Sequence, residues 1–503
     1  MGIIQQQSIR STAYIFIGFI VGAINILVLF PTFFSQPEIG MTRALMDISL
    51  TLATLATFGS LPVIYKFYPF YKDYLDQNKN DLPFITGLVC LVGFILVLIS
   101  GFIFQDFIIR KLGKSPEFAS YFYLVYPYTF LLMLFLWLEA FAWGLKKTSL
   151  TNFLKETLLR ITVTVLIVLF AAGLLNIDSF MQLYSLLFLL PVVSLIAILS
   201  RSGHWKFKIT SLSKVSTRMG KRMITFGLFI FGAQFLNVFA RTSDTIFAIG
   251  FQGLPQAGLF AIGSYLVAIM EIPQRSLNAI SIPVLAESWK NRDMNNIRDI
   301  YQKSVSNMLL IGLGLFCLIV LNITDVAEML NYFGRKTNSD YSVIIQIVVI
   351  MGIARIIDLG TGVNAQIIGT SNFWRFDFFT NVFYTFLSIP LNFILIKQYG
   401  IVGLAYANLI ALTLYNLVRF IFLQVKFGLQ PYTVKSLQTV LLAGLCFAIV
   451  WFIPLKMDWY LSIPIRSLIF CLIFIPLMHY TKAAPELSAL GDRWLNKLRG
   501  RSR

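Results

Sequence analysis

The sequence predicts an all-α polytopic membrane protein of about 14 transmembrane helices, and three observations carry that reading. Of 503 residues, 57% are hydrophobic and only 13% charged, outside the range of soluble globular chains. Apolar runs long enough to span recur near 12–34, 43–64, 82–104, 119–142, 150–174, 178–200, 223–250, 256–285, 303–322, 341–367, 373–396, 401–423, 434–455 and 460–480. The Lys and Arg residues between the runs are unevenly shared. Twenty-five flank the side that holds both termini, whereas Arg110, Lys111, Lys114, Arg335, Lys336, Lys397 and Lys456 flank the other. By the positive-inside rule both termini, and the connection 201–221, are cytoplasmic.

The first run follows a lone Arg10 and has no small-residue cleavage site, so it is expected to be a retained helix and not a removed signal peptide. The longest polar interruptions, 201–221 and 287–302, are too short to be soluble domains. The first of them joins the sixth and seventh spans and reads as the linker between two halves. Those halves look alike at their starts: Gly22-Ala23 is matched by Gly232-Ala233, and Ser60-Leu-Pro-Val-Ile64, closing the second span, by Ser281-Ile-Pro-Val-Leu285, closing the eighth. Gly18-xxx-Gly22 reads as a close helix contact through small residues. Tyr65, Tyr68, Tyr71 and Tyr74, with Tyr121, Tyr123, Tyr126 and Tyr128, read as an aromatic belt at the membrane edges.

The net charge of +18 is mostly a topology signal, so nucleic acid is not an expected partner, whereas anionic membrane lipids are. Cys90, Cys317, Cys446 and Cys471 lie singly in apolar runs, without the paired spacing of a metal site or a disulfide, and no cofactor is expected.

The charges inside the spans are the candidate functional groups, because an ionised side chain at mid-bilayer costs roughly 2.5 to 3.5 kcal/mol on insertion scales. Arg241 and Asp244 stand three apart in the seventh span; Glu271 and Arg275 stand four apart in the eighth, so each couple can meet across one helical turn. Arg43 with Asp47, Glu156 with Arg160, and Arg355 with Asp358 repeat the device. Pro273, inside the eighth-span couple, crowds the carbonyl of Ile269 and is expected to kink the helix there. Asp358-Leu-Gly-Thr-Gly-Val-Asn364 allows either a broken tenth span or close packing through its glycines. With Lys155, Glu139, Arg375, Asp377, Arg419 and Arg466 added, the interior holds nine cations and seven acids, a balance that favours an anionic cargo held by arginine forks.

Pro390-Leu-Asn-Phe-Ile-Leu-Ile-Lys-Gln-Tyr-Gly-Ile-Val-Gly-Leu-Ala-Tyr-Ala-Asn408 resembles the polysaccharide repeat-unit (O-antigen and capsule) flippases of the multidrug/oligosaccharidyl-lipid/polysaccharide exporter superfamily. In that family an Asn ends one span, a turn with Tyr-Gly-x-x-Gly follows, and a small-residue run opens the next. The resemblance implies two six-helix lobes related by a pseudo-repeat, around a cationic cavity, plus two extra C-terminal helices. On this chain that becomes an N-terminal lobe at 1–200, the basic linker 201–221, a C-terminal lobe at 222–425, two further spans within 426–481 and a basic tail at 482–503. It also implies a flippase in the bacterial inner membrane that moves an undecaprenyl-pyrophosphate-linked oligosaccharide to the periplasmic leaflet, with polysaccharide polymerase machinery as a further partner.

Arg241, Arg275, Arg43 and Arg355 are the expected phosphate-binding residues. Glu139, Asp47, Asp244 and Glu271 are the expected ion-coupling carboxyls, Glu139 foremost because no basic residue lies one turn before it. A membrane-embedded enzyme fits poorly, since His204 and His479 are the only histidines and no outside connection is long enough to house a catalytic site. A multidrug or cation antiporter of the same superfamily is the alternative, and would call for an acidic interior.

Overall fold

The structure, a computed structural model, describes residues 3–75, 80–111, 115–145, 147–201, 212–337, 340–454 and 457–481. The basic tail 482–503, His204 and most of the connection 201–221 lie outside the described residues. Every regular element among the described residues is helical. The chain forms two compact units, Met1–Gly258 with Gly334–Asn338, and Leu259–Phe333 with Ser339–Arg503.

The first unit contains α1 (Ile3–Ile24), α2 (Phe30–Phe33), α3 (Gln36–Ala56), α4 (Ser60–Tyr74), α5 (Leu82–Lys111), α6 (Pro116–Tyr121), α7 (Val125–Gly144), α8 (Thr148–Asn152), α9 (Leu159–Ala171), α10 (Ile177–Ser185), α11 (Leu189–Arg201) and α12 (Lys214–Gln252). Then α13 (Leu254–Ala268) leads into the second unit. That unit holds α14 (Glu271–Lys290), α15 (Met294–Phe333), α16 (Val343–Leu359), α17 (Asn364–Thr370), α18 (Trp374–Tyr399), α19 (Val402–Phe427), α20 (Val434–Trp451) and α21 (Trp459–Tyr480).

Eleven helices are long and apolar enough to cross a membrane, and two bent pairs bring the number to 13 among the described residues. The expected run at 150–174 is the one not among them. It is helical from α8 to α9, but it passes through a π-helix, Phe153–Leu158, and carries Lys155, Glu156 and Arg160.

The second span also differs from expectation. It begins at Gln36, where Ser35 and Glu38 form a capping box over Pro37, and it ends at Ala56. Phe58 and Gly59 then take positive φ angles of 42° and 78°, so Ser60-Leu-Pro-Val-Ile64 opens α4 and does not close a span. Its counterpart Ser281–Leu285 lies in the middle of α14, a different register from the one the repeat requires. At Gly59 an added Cβ would lie 2.4 Å from the Gly227 carbonyl oxygen, so glycine serves both the turn and the approach of α12.

Two other glycine contacts bear on the sequence motifs. A Cβ on Gly18 would meet the Glu156 carbonyl oxygen at 2.2 Å, which is the close small-residue contact the first span suggested. In the Pro390–Asn408 motif, Gly400 takes φ 61° and a Cβ on Gly403 would lie 2.1 Å from the Leu395 carbonyl oxygen. The motif is thus the tight α18–α19 hairpin. The tyrosines divide: Tyr65, Tyr74 and Tyr123 are exposed as a belt requires, whereas Tyr68, Tyr71 and Tyr128 are buried packing residues.

Candidate functional site

In the second unit two spans are broken at the same network of charges. The chain bends by 56° between α13 and α14, and by 44° between α16 and α17. Glu271 is the first residue of α14, where the helix's unpaired amide groups favour an anion. Arg355 and Asp358 stand in α16 just before the second break. The Glu271 carboxylate forms an ion pair with Arg355 across the two helices and a second, at 3.3 Å, with Arg275. Arg355 also reaches Asp358 at 3.7 Å.

Asp358 sits at the C-terminal end of its helix, where exposed carbonyls oppose a negative charge. Side-chain amides offset that opposition. Gln274 donates to Asp358 at 3.2 Å and Asn416 of α19 at 2.9 Å. The Asn416 carbonyl oxygen in turn accepts from Thr361, at 3.0 Å, in the α16–α17 break and from Asn364, at 3.0 Å, in α17. The side chain of Arg275 is 63% exposed, against 18% for Glu271 and 23% for Arg355, so Arg275 is the network's most accessible cation.

The two breaks have different local causes. Pro273 does not kink a continuous helix as expected. The span is interrupted at Ile269 and Met270, and Pro273 lies in the first turn of α14, where its missing N–H has no intrahelical partner to lose. Of the two readings of Asp358–Asn364, the broken helix holds. Gly362 takes φ 58°, and the amide of Val363 donates to Ser304 Oγ of α15 at 3.3 Å. A Cβ on Gly362 would fall 2.4 Å from that same hydroxyl, so close packing and the break coincide.

In the first unit the candidate charges sit on helices that are not broken beside them. Arg43 Nε meets Asp47 Oδ2 at 2.7 Å, and the Thr245 hydroxyl of α12 donates to the same oxygen at 2.5 Å. One turn away Thr51 and Thr242 bond across α3 and α12 at 2.6 Å. Asp47 is only 4% exposed. Around Arg241 and Asp244, therefore, Thr242 and Thr245 bond to α3, while Arg241 is exposed and Asp244 half-buried. Glu139 is not without a basic partner: Lys155, from the π-helix after the α7–α8 turn, reaches it at 3.7 Å. Glu156 and Arg160 pair at 3.0 Å as their spacing predicts.

Several partners escaped sequence reasoning because they join segments far apart in the chain. Arg419 pairs with Asp377, donates to Thr380 at 3.1 Å and lies 3.9 Å from the centre of the Tyr415 ring. Arg466 pairs at 2.7 Å with Asp325, an acid of α15 outside the original interior tally, and also reaches the Leu321 carbonyl. Asn416 shows in the sequence only as an amide three residues before Arg419 in a mostly apolar span. With these pairs made, the expected cationic surplus is largely matched by local acids.

No family model matches the sequence, and no curated protein does so by sequence. Solved structures do match by fold. A lipid II flippase, MurJ, in an inward closed conformation superposes with a TM-score of 0.71 at 14% identity, covering 95% of this chain and 98% of that one. An outward-facing multidrug resistance MATE transporter of the MOP superfamily gives 0.58 at 14% identity, over 84% of this chain and 95% of the other. A MOP-superfamily transporter from Pyrococcus furiosus, described by the reverse polarity of its binding pocket, gives 0.57 at 13% identity, over 86% and 98%. At these identities the likeness is one of fold. The chain has the all-helical fold of MOP-superfamily flippases and transporters, and none of these three matched proteins is an enzyme.

Proposed function

We propose that this protein is a flippase that moves an undecaprenyl-pyrophosphate-linked oligosaccharide from the cytoplasmic to the periplasmic leaflet, by alternating access coupled to an ion gradient. The observation that carries the reading is the accessible Arg275, held by Glu271 at the start of one half-helix and beside Arg355 at the end of another. Discontinuous helices bring charges and unpaired backbone groups to one depth, which is how many transporters build substrate sites. A guanidinium there suits pyrophosphate through bidentate bonds. The likeness to the lipid II flippase over nearly the whole chain supports the same reading.

In this mechanism Arg275 and Arg355, with Arg43 and Arg241, contact the phosphates. Glu271, Asp244, Asp47 and Glu139 are the coupling carboxyls, and Glu139 would have to part from Lys155 to exchange an ion. A headgroup of phosphates and sugars cannot cross about 30 Å of hydrocarbon unaided, so the protein supplies the polar path while the lipid tail stays in the bilayer. The protein would lie in the inner membrane with two lobes and both termini cytoplasmic. Alkaline phosphatase fused after Ser213 or Arg503 should be inactive, and activity at either point overturns that topology.

The decisive variant pairs Glu271→Gln with Arg275→Ala, which removes the couple and leaves Arg355 with Asp358 as its carboxylate partner. Made at normal levels in a flippase-deficient cell, it should fail to restore surface polysaccharide. Full restoration makes the couple structural and removes this cargo site.

A second reading, export of cationic drugs, is favoured by the pairing of nearly every interior arginine and by the buried Asp47. Efflux of a cationic dye that depends on Asp47, with no rescue of polysaccharide, would select it.

A further inference from the structure

The first unit holds a cavity of 610 Å³ between α4, α5 and α12 that the candidate charges do not enter. Among the described residues its lining has no charged side chain, and its hydroxyls are those of Ser60, Thr86 and Ser216. Val92 and Leu96 of α5 and Ile224 and Leu228 of α12 are each about half exposed or more, so the cavity is a groove open to the outside of these helices. Its floor is set by glycines. Gly93 touches the Ala56 carbonyl and Gly59 touches that of Gly227, so the backbones approach closely and leave a trough that side chains would otherwise fill. At Gly220, by contrast, an added Cβ would meet nothing within 4 Å.

The dimensions and charges suggest an occupant. From Ser216 to Leu228 the groove follows α12 for about 18 Å, and from Ile85 to Leu96 it follows α5 for about 16 Å, at about 1.5 Å per residue. One leaflet's share of a hydrocarbon core about 30 Å thick is about 15 Å. The groove thus has the length of one leaflet. The turns of α12 along its Leu212 end carry Lys214, Arg218, Lys221 and Arg222, all exposed. Chain-length apolar space beside a basic cluster matches a lipid with an anionic headgroup.

We propose that this groove is a binding site for one acyl chain of an anionic phospholipid, whose headgroup rests against the basic start of α12. By the distribution of basic loops this is the cytoplasmic leaflet. The site is separate from the proposed cargo path and does not depend on which cargo is moved.

The test uses the full chain in nanodiscs containing phosphatidylglycerol or phosphatidylcholine with a diazirine in the acyl chain, followed by photolysis and peptide mapping. Labelling is expected on residues 85–96 and 212–228, with the phosphatidylglycerol probe favoured by about fivefold for each basic residue engaged, which is what about 1 kcal/mol per cation implies. Gly220→Phe should abolish that labelling. The added Cβ meets nothing within 4 Å, the ring has the groove to occupy, and the change relieves a helix of a glycine, so the fold should survive. Gly232→Phe, on the same helix, equally free of neighbours and outside the groove, should leave labelling intact. Equal labelling of both variants, or equal labelling by the two phospholipids, overturns the proposal. So does labelling of the groove by a photoactivatable polyprenyl pyrophosphate that phosphatidylglycerol does not compete away.

Discussion

The Asp47 site of the first compact unit and the Glu271 site of the second hold interior charge in opposite ways. In the first, Asp47 is closed off on unbroken helices: its carboxylate has one arginine, one hydroxyl and almost no exposure. In the second, Glu271 and Asp358 sit at helix ends and have two arginines between them, and Asp358 is held by side-chain amides from two further positions, with Arg275 left reaching outward. Inside a helix the backbone is already satisfied, so a charge couple there needs only its own partner and acts as a pin between helices. At a break the helix-end groups must find partners outside the regular ladder, as the Val363 amide does at Ser304 Oγ, and the side chains form a network. One spacing of Arg and acid along the chain can thus be held in two ways. Whether the helix continues past it separates them.

Removing Arg43 should break this comparison most strongly. Arg43→Ala leaves Asp47 buried without its cation, a change worth about 3 to 5 kcal/mol in other proteins and expected near the lower end here because Thr245 still donates. Thermal unfolding in detergent should show a large fall in midpoint. A midpoint within a degree of the parent would mean that the first unit's couple is no pin.

Next in size is the α16–α17 break itself. Gly362→Ala imposes a side chain on a positive φ and drives its Cβ into Ser304, which should destabilise by about 1 to 3 kcal/mol. The neighbouring Gly360 has ordinary helical angles, so Gly360→Ala should cost less. Equal midpoints for the two variants would show that the left-handed turn is not what holds the break.

Asn416→Leu should cost about 1.5 to 3 kcal/mol, the range for a hydrogen bond to a charged group, because Asp358, Thr361 and Asn364 all lose a partner. Its effect on unfolding should exceed that of Arg275→Ala, which removes a mostly exposed cation and is expected to change stability by less than about 1 kcal/mol. The reverse order would mean that Arg275, and not the amides, holds the second unit's network.

The smallest structural change expected, with a measurable change in function, is Arg275→Lys. It keeps the charge and the couple with Glu271 but loses the planar fork, so unfolding should be unaltered while binding of a pyrophosphate-linked lipid weakens by about 1 to 2 kcal/mol, roughly 5- to 30-fold. Unchanged binding in a titration of the purified protein would place the phosphates elsewhere.

Much of this could be read from the chain because the relevant physics is local. Spanning length, apolar composition and the one-turn spacing of Arg43 with Asp47, Glu156 with Arg160 and Glu271 with Arg275 depend on neighbours within a few residues, and the helices and those three couples are present in the structure. The capping box at Ser35 and Glu38 is local too, yet the second span was expected to begin seven residues later and to run through Phe58 and Gly59, where the helix in fact stops.

Which distant segments meet is set by helix packing and cannot be read along the chain. Lys155 turns toward Glu139 because a π-helix follows the α7–α8 turn, Arg355 reaches Glu271 because two spans break near one another, and Arg419 and Arg466 find Asp377 and Asp325 across packed helices. Each of these contacts depends on how helices far apart in the sequence are laid side by side, which hydrophobicity alone leaves open, since any apolar face can pack against any other until specific side chains make one arrangement better.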